Sequence, residues 1–149
     1  MLALFTSLQV DIEAYMEDEE QKKTADDLLG FLTPIAKAFI TETGFESANL
    51  GLQCFGGHGY IAEWGVEQNV RDARIAMLYE GTTGIQSLDL LGRKVLMTQG
   101  ETLRRFTKIV HKFCQANESS AVSAHVEELK TLNKEWGDLT MEVLSLIHI

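Results

Sequence analysis

The sequence predicts an all-α protein, a helical bundle, on three observations. The chain holds a single proline, the residue that helix interiors tolerate least. Alternation of β-branched and polar residues, the mark of a half-buried strand, is scarce. Apolar residues recur three and four apart nearly throughout, which gathers them on one face of a helix.

Leu4, Leu8, Ile12 and Tyr15 make a first stripe, which ends in the acidic run Glu17-Asp18-Glu19-Glu20. With Asp11 and Glu13, that run reads as a solvated face or a helix end. Leu28, Leu32, Ile35 and Phe39 make a second stripe, continued through Ala48 and Leu52 to Phe55. Thr33-Pro34 interrupts it, and because proline lacks an N–H and suits a first helical position, a kink or restart is expected there. Gly56-Gly57-His58-Gly59 breaks the pattern. A shorter helix is expected over residues 66–77, with Arg71, Asp72 and Arg74 on its polar side. Gly81-Thr82-Thr83-Gly84 makes a second break, where Thr82 or Thr83 would cap a helix carrying Ile85, Leu88, Leu91 and Val95. Gly100 ends that helix. Leu103, Phe106, Val110 and Phe113 give the next stripe, and a turn over residues 117–120 follows. Val122, Val126, Leu129, Leu132, Trp136, Leu139 and Val143 then recur close to heptad spacing. Both ends look cut, the first inside an amphipathic pattern and the last while its stripe is still running, so a fragment is expected. Residues 144–149 resemble translated sequencing adaptor and carry no structural expectation.

With 149 residues the chain can bury one core. Its net charge of -9 argues against nucleic acid or an anionic membrane as partner, since phosphate binding needs a basic surface. No apolar run is long enough to span a bilayer, and the first ten residues lack the basic start and the cleavage site of a signal peptide. Cys54 and Cys114 fall on apolar sides of helical patterns without metal-ligand spacing and read as reduced core thiols of a cytoplasmic protein. His58, His111, His125 and His148 are equally scattered, so no metal is expected.

Two glycine-containing breaks could carry chemistry. Gln53-Cys54-Phe55-Gly56-Gly57-His58-Gly59-Tyr60 is not a dinucleotide fingerprint, because a helical stripe precedes it where a strand is required. It reads either as a helix C-cap and turn or as bare backbone open to an anionic cofactor. His58 reads as a turn residue. In Tyr79-Glu80-Gly81-Thr82-Thr83-Gly84-Ile85-Gln86, a carboxylate at a helix entrance reads as a dipole partner. Its setting, between Ile75, Met77, Leu78, Tyr79 and a glycine, also suits a general base, since a carboxylate shielded from water is a stronger base.

Together these segments, joined by Arg71-Asp72-Ala73-Arg74-Ile75, resemble the C-terminal domain of acyl-CoA dehydrogenases. The likeness reaches back over residues 32–48 and forward to Gly92-Arg93-Lys94. It is strongest to the long bacterial branch with 3-methylmercaptopropionyl-CoA dehydrogenase-like enzymes. The resemblance implies a helical domain of four-helix-bundle type over residues 1–99 and the start of an additional helical region over residues 100–149. It implies that Glu80 is the catalytic base for the α-proton of an acyl-CoA thioester, whose β-hydride goes to FAD. It also implies that Gln53, Gly56, Gly57 and Thr82 meet FAD, the first three on a neighbouring subunit, and that Tyr79 and Gly81 flank the substrate. Arg71 and Asp72 match a structural motif expected to be an ion pair. Gly84 departs from the Gln that many members carry, and Gly92 from an Arg of some. An electron-transfer flavoprotein, a homo-oligomer and a bacterial cytoplasmic setting complete the expectation. The alternative is a catalytically silent member of the same family whose bundle serves oligomerisation or scaffolding.

Overall fold

A computed structural model describes residues 1–147; His148 and Ile149, the end of the adaptor-like stretch, lie outside them. All regular structure among the described residues is helical, as the spacing predicts: α1 (Leu2–Tyr15), α2 (Glu19–Cys54), α3 (Gly57–Tyr60), α4 (Val66–Ile75), α5 (Thr83–Leu88), α6 (Glu101–Asn117) and α7 (Ser123–Ile147). A 3-10 turn (Ala62–Trp64) precedes α4, and a π-helical stretch (Asp89–Leu96) follows α5. The chain divides into two compact units, Met1–Leu90 and Leu91 onward, so the division falls within the π-helical stretch.

The first unit is organised on α2, a helix of 36 residues. Its start explains the acidic run. Asp18 is the N-cap, its Oδ1 accepting from the amides of Glu20 (2.9 Å) and Gln21 (3.4 Å). Those two bonds hold the Asp18 carboxyl below its ordinary value, and Glu19 and Glu20 occupy the first turn, where the helix dipole favours anions. The expected restart at Pro34 does not occur: α2 runs through it unbroken, with the ring buried. Thr33 Oγ1 donates to the Leu29 carbonyl (2.7 Å) in the same turn. Burial of the ring among apolar neighbours offsets the hydrogen bond that proline removes.

Helices α1, α4 and α5 each pack on α2. Ala25, Leu28, Phe31, Leu32 and Ala36 are buried there. Of the rest of the expected second stripe, Ile35, Ala48 and Leu52 are half-buried and Phe39 and Phe55 are exposed. On α1 the packed face carries Gln9, which is buried, while Leu4, Leu8 and Tyr15 of the expected stripe face water. Cys54, expected in a core, is exposed, whereas Cys114 is fully buried. Helix α4 ends at Ile75, earlier than expected, because the Met77 and Leu78 amides turn back to the carbonyls of Arg74 (3.2 Å) and Ile75 (2.9 Å).

In the second unit, the π-helical stretch closes through amides reaching five residues back, Met97 to Gly92 (3.1 Å) and Gly100 to Val95 (2.8 Å). Gly100 then caps α6 in the left-handed region (φ 76). Helices α6 and α7 pair as a hairpin across Leu103, Cys114 and Val126, with Phe106 and Trp136 meeting edge to face at 5.7 Å. Lys130 joins Glu118 (2.8 Å) and Glu127 (2.8 Å) at the turn end. No helix among the described residues is long and apolar enough to cross a membrane.

Candidate functional site

The residues singled out by the sequence fall into two clusters, both in the first unit. The first is the turn from Tyr79 to Thr82, between α4 and α5. Glu80 sits at φ 52 and Gly81 at φ 95. A positive φ is uncommon for a residue with a Cβ, so the turn holds Glu80 in a strained conformation. Gly81 is required by its φ; a Cβ there would also lie 2.5 Å from Gln86 Nε2, the tip of a side chain that would have to move. Thr82 caps α5, its Oγ1 accepting from the Ile85 amide (3.4 Å). Glu80 is exposed. The apolar setting expected around it (Ile75, Leu78, Tyr79) is an open ledge, each of these side chains about half exposed.

Three residues that the sequence did not single out hold this turn. Lys37 of α2 donates through Nζ to the carbonyls of Tyr79 (3.1 Å) and Gly81. Gln86 Nε2 donates to the carbonyls of Glu80 (3.2 Å) and Gly81 (3.4 Å). Glu42 Oε1 accepts from Thr83 Oγ1 (2.7 Å). Lys37 and Glu42 lie some forty residues before the turn, so no local motif connects them to it.

The second cluster is the end of α2. Gly56 takes φ 57 with ψ -140, a region open only to glycine. Gln53, Gly56 and Gly57 are exposed, and a Cβ on either glycine would meet nothing within 4 Å. Gly59 is the packed one: a Cβ there would lie 2.3 Å from the Leu52 carbonyl oxygen. His58 stacks edge to face on Trp64 at 5.5 Å, in keeping with a turn residue. The rise of a helix puts Gln53 roughly 24 Å along α2 from Lys37. The structure therefore brings Tyr79, Glu80, Gly81 and Thr82 together and keeps Gln53, Gly56 and Gly57 apart from them.

Between the clusters, Phe45, Val70, Arg71, Arg74, Ile75 and Leu78 line an open groove of about 450 Å³. Arg74 lies over the Phe45 ring at 5.2 Å. The ion pair expected between Arg71 and Asp72 is not formed; Asp72 accepts instead from Gln68 Nε2 one turn earlier (2.6 Å). Adjacent residues on a helix point about a quarter-turn apart, which places Asp72 nearer Gln68 than Arg71. No cluster of metal-binding side chains occurs among the described residues.

The first unit is thus an all-helical domain with a glycine-marked helix end and a carboxylate in a left-handed turn. The family model described as acyl-CoA dehydrogenase, C-terminal domain, matches residues 6–96, and the chain belongs to that family. It is 48% identical over 109 residues to 3-methylmercaptopropionyl-CoA dehydrogenase of Ruegeria pomeroyi, an alignment covering 73% of this chain and 18% of that protein. It is 29% identical over 111 residues to a butyryl-CoA dehydrogenase of Syntrophomonas wolfei, covering 74% and 18%. A broad-specificity linear acyl-CoA dehydrogenase of Mycobacterium tuberculosis is 34% identical over 82 residues, covering 55% and 13%. The chain thus spans less than a fifth of the length of these relatives.

The family is generally FAD-dependent, and the fit can be judged from the backbone. No neighbour crowds the main chain at Gly56 and Gly57. The Gly56 amide, however, donates to the Gln53 carbonyl (3.0 Å) and the Gly56 carbonyl accepts from Gly59 (3.1 Å), so the Gly57 amide at the start of α3 is what an elongated anionic group would meet. Around Thr82 the first turn of α5 presents amide N–H groups as well. The residues present fit such a group as an exposed ledge.

Proposed function

We propose that this chain is the C-terminal helical part of an active acyl-CoA dehydrogenase, with residues 1–99 as the family's helical domain and residues 100–149 as the start of a further helical region. In this reading Glu80 is the catalytic base. Its carboxylate takes the α-proton of an acyl-CoA thioester, and the two electrons leave the β-carbon as hydride, so that a trans-2-enoyl-CoA remains. FAD, when bound, supplies the hydride acceptor. Gln53, Gly56, Gly57 and Thr82 hold it, the first three on a neighbouring subunit, while Tyr79 and Gly81 border the acyl chain and thioester. A base needs a carboxylate that is free to point at substrate, and Glu80 makes no ion pair among the described residues.

The observation that carries the reading is the backbone at Glu80. Glu80 at φ 52 precedes a glycine at φ 95, a pairing of left-handed residues that Gln99 and Gly100 also show. What sets its turn apart is the hold of Lys37 and Gln86 on its carbonyls, of the kind that persists where a side chain must be aimed. The name of the Ruegeria pomeroyi relative supports a thioester substrate. Apolar side chains left in water on α1 (Leu4, Leu8, Tyr15) support a homo-oligomer. An electron-transfer flavoprotein as electron acceptor and a cytoplasmic setting follow from the family resemblance.

The test is Glu80→Gln in the complete dehydrogenase, followed by flavin bleaching on mixing with acyl-CoA. Reduction is expected to stop while flavin stays bound. Bleaching at the parent rate would overturn the assignment.

A further inference from the structure

All three carbonyls of the Tyr79–Gly81 turn accept hydrogen bonds from side chains, and Lys37 supplies those on either side of Glu80. Its Nζ donates to the Tyr79 carbonyl (3.1 Å) and to the Gly81 carbonyl, while Gln86 Nε2 takes the Glu80 carbonyl between them (3.2 Å). The peptide plane before Glu80 is held by Lys37 through the Tyr79 carbonyl and the plane after it by Gln86 through the Glu80 carbonyl, while the Lys37 bond to Gly81 anchors the next plane along. Together they fix the φ and ψ of Glu80, and with them the direction in which its Cβ leaves the backbone. A left-handed Glu80 would otherwise relax toward the ordinary helical or extended regions. Bonds from an ammonium are among the stronger hydrogen bonds available to a carbonyl.

The side chain is well chosen for the task. Lys37 is half-buried on α2, so its stem is held against the helix that forms the floor of the unit. It forms no ion pair among the described residues. An ammonium beside Glu80 could neutralise the carboxylate, yet its N–H groups go to carbonyl oxygens and leave the carboxylate unpaired. Five residues along the same helix, Glu42 accepts from Thr83 (2.7 Å), so α2 grips the turn on both sides.

The geometry points to Lys37 as the positioning residue of the Glu80 turn: it aims the base without touching substrate. This rests on the reading of Glu80 as the base. The test uses the complete dehydrogenase carrying this segment, with Lys37→Met, Lys37→Arg and Glu80→Gln followed by rapid mixing with acyl-CoA. Lys37→Met is expected to lower the limiting rate of flavin reduction by about 100-fold, the cost of displacing a reacting group by an ångström. The half-saturating acyl-CoA concentration should stay within about threefold, since substrate binding is not the lost interaction. Lys37→Arg, which keeps two N–H donors for two carbonyls, is expected to recover the rate to within about tenfold of the parent. A role in folding alone would instead lower flavin content and melting temperature while sparing the rate per bound flavin, and that result overturns the inference. If Lys37→Met does not fold, Lys37→Ala, which also lacks a donor and favours the helix, is read in its place with the same expectation of a lost rate. A fast Glu80→Gln enzyme would overturn the base assignment and this inference together. An inactive Glu80→Gln enzyme beside a fast Lys37→Met enzyme overturns this inference alone.

Discussion

Gly81 is the residue on which the turn depends most. Its φ of 95 is a backbone conformation that L side chains rarely adopt, and a Cβ there would push the Gln86 amide off the carbonyls it holds. Forcing an L-residue into that region costs about 1–2 kcal/mol. Gly81→Ala is therefore expected to lower the melting temperature modestly and to displace Glu80, with activity falling further than stability. Cysteine reactivity gives a second residue-scale check. Cys54 is exposed and Cys114 fully buried, so a thiol reagent should modify one cysteine in the native chain and both after denaturation. A third concerns pH. The ammonium of Lys130, hydrogen-bonded to Glu118, holds that carboxyl below its ordinary value of 4.5, and Lys130 is raised above 10.5 by Glu118 and Glu127. The depressed Glu118 contributes stability above pH 4.5 that is lost as pH falls through its folded value. The raised Lys130 contributes below pH 10.5 and loses it as pH rises through its folded value. Lys130→Met should thus lower the melting temperature near neutrality and have little effect in strong acid, and added salt should shrink the difference.

At the scale of elements, α2 shows what a sequence pattern conveys and what it omits. Its glycine-marked end is legible because cap chemistry is local, whereas the acidic run reads only as a solvated face or a helix end and does not mark Asp18 as the cap. The fate of Pro34 is not legible either, since burial of its ring depends on neighbours far along the chain. The same holds for the face of α2 that packs: Leu32 and Phe39 share a stripe, yet only Leu32 is buried. Leu32→Ala should cost about 2–5 kcal/mol as a core truncation, and Phe39→Ala under about 0.5 kcal/mol as a surface change; chemical denaturation of the two variants would show it. In α7 the expected heptad included Leu132 and Leu139, which are exposed, while Val126 and Thr140 are buried. The expected and observed seams share Val126, Leu129, Trp136 and Val143, and the pairing of Trp136 with Phe106 and of Lys130 with Glu118 goes with the observed one. Likewise Tyr79 to Thr82 could be read from a glycine and a cap, but Lys37, Glu42 and Gln86 could not all be. Two of those three arrive from a helix forty residues away.

For the molecule as a whole, the share of relatives that the chain covers decides what it should do in isolation. Its candidate cofactor residues are exposed ledges, and the alignment reaches less than a fifth of the relatives' length. Purified alone, the chain is expected to be colourless and to leave acyl-CoA unchanged, which absorbance near the flavin bands would reveal. Apolar side chains on α1 and α7 face water, among them Leu4, Leu8, Leu132 and Leu139. Self-association that grows with concentration is the expected behaviour in gel filtration, tempered by the repulsion of a chain with net charge -9.

The length of α2 has a genetic consequence. With Gln53 roughly 24 Å along the helix from Lys37, and the proposed flavin contacts of Gln53, Gly56 and Gly57 made to a neighbour's cofactor, each reaction centre would draw on two polypeptides. A chain spoiled at Glu80 and a chain spoiled at Gly56 would then fail separately. Mixed in one cell they should complement, because some assemblies would unite the intact turn of one with the intact helix end of the other.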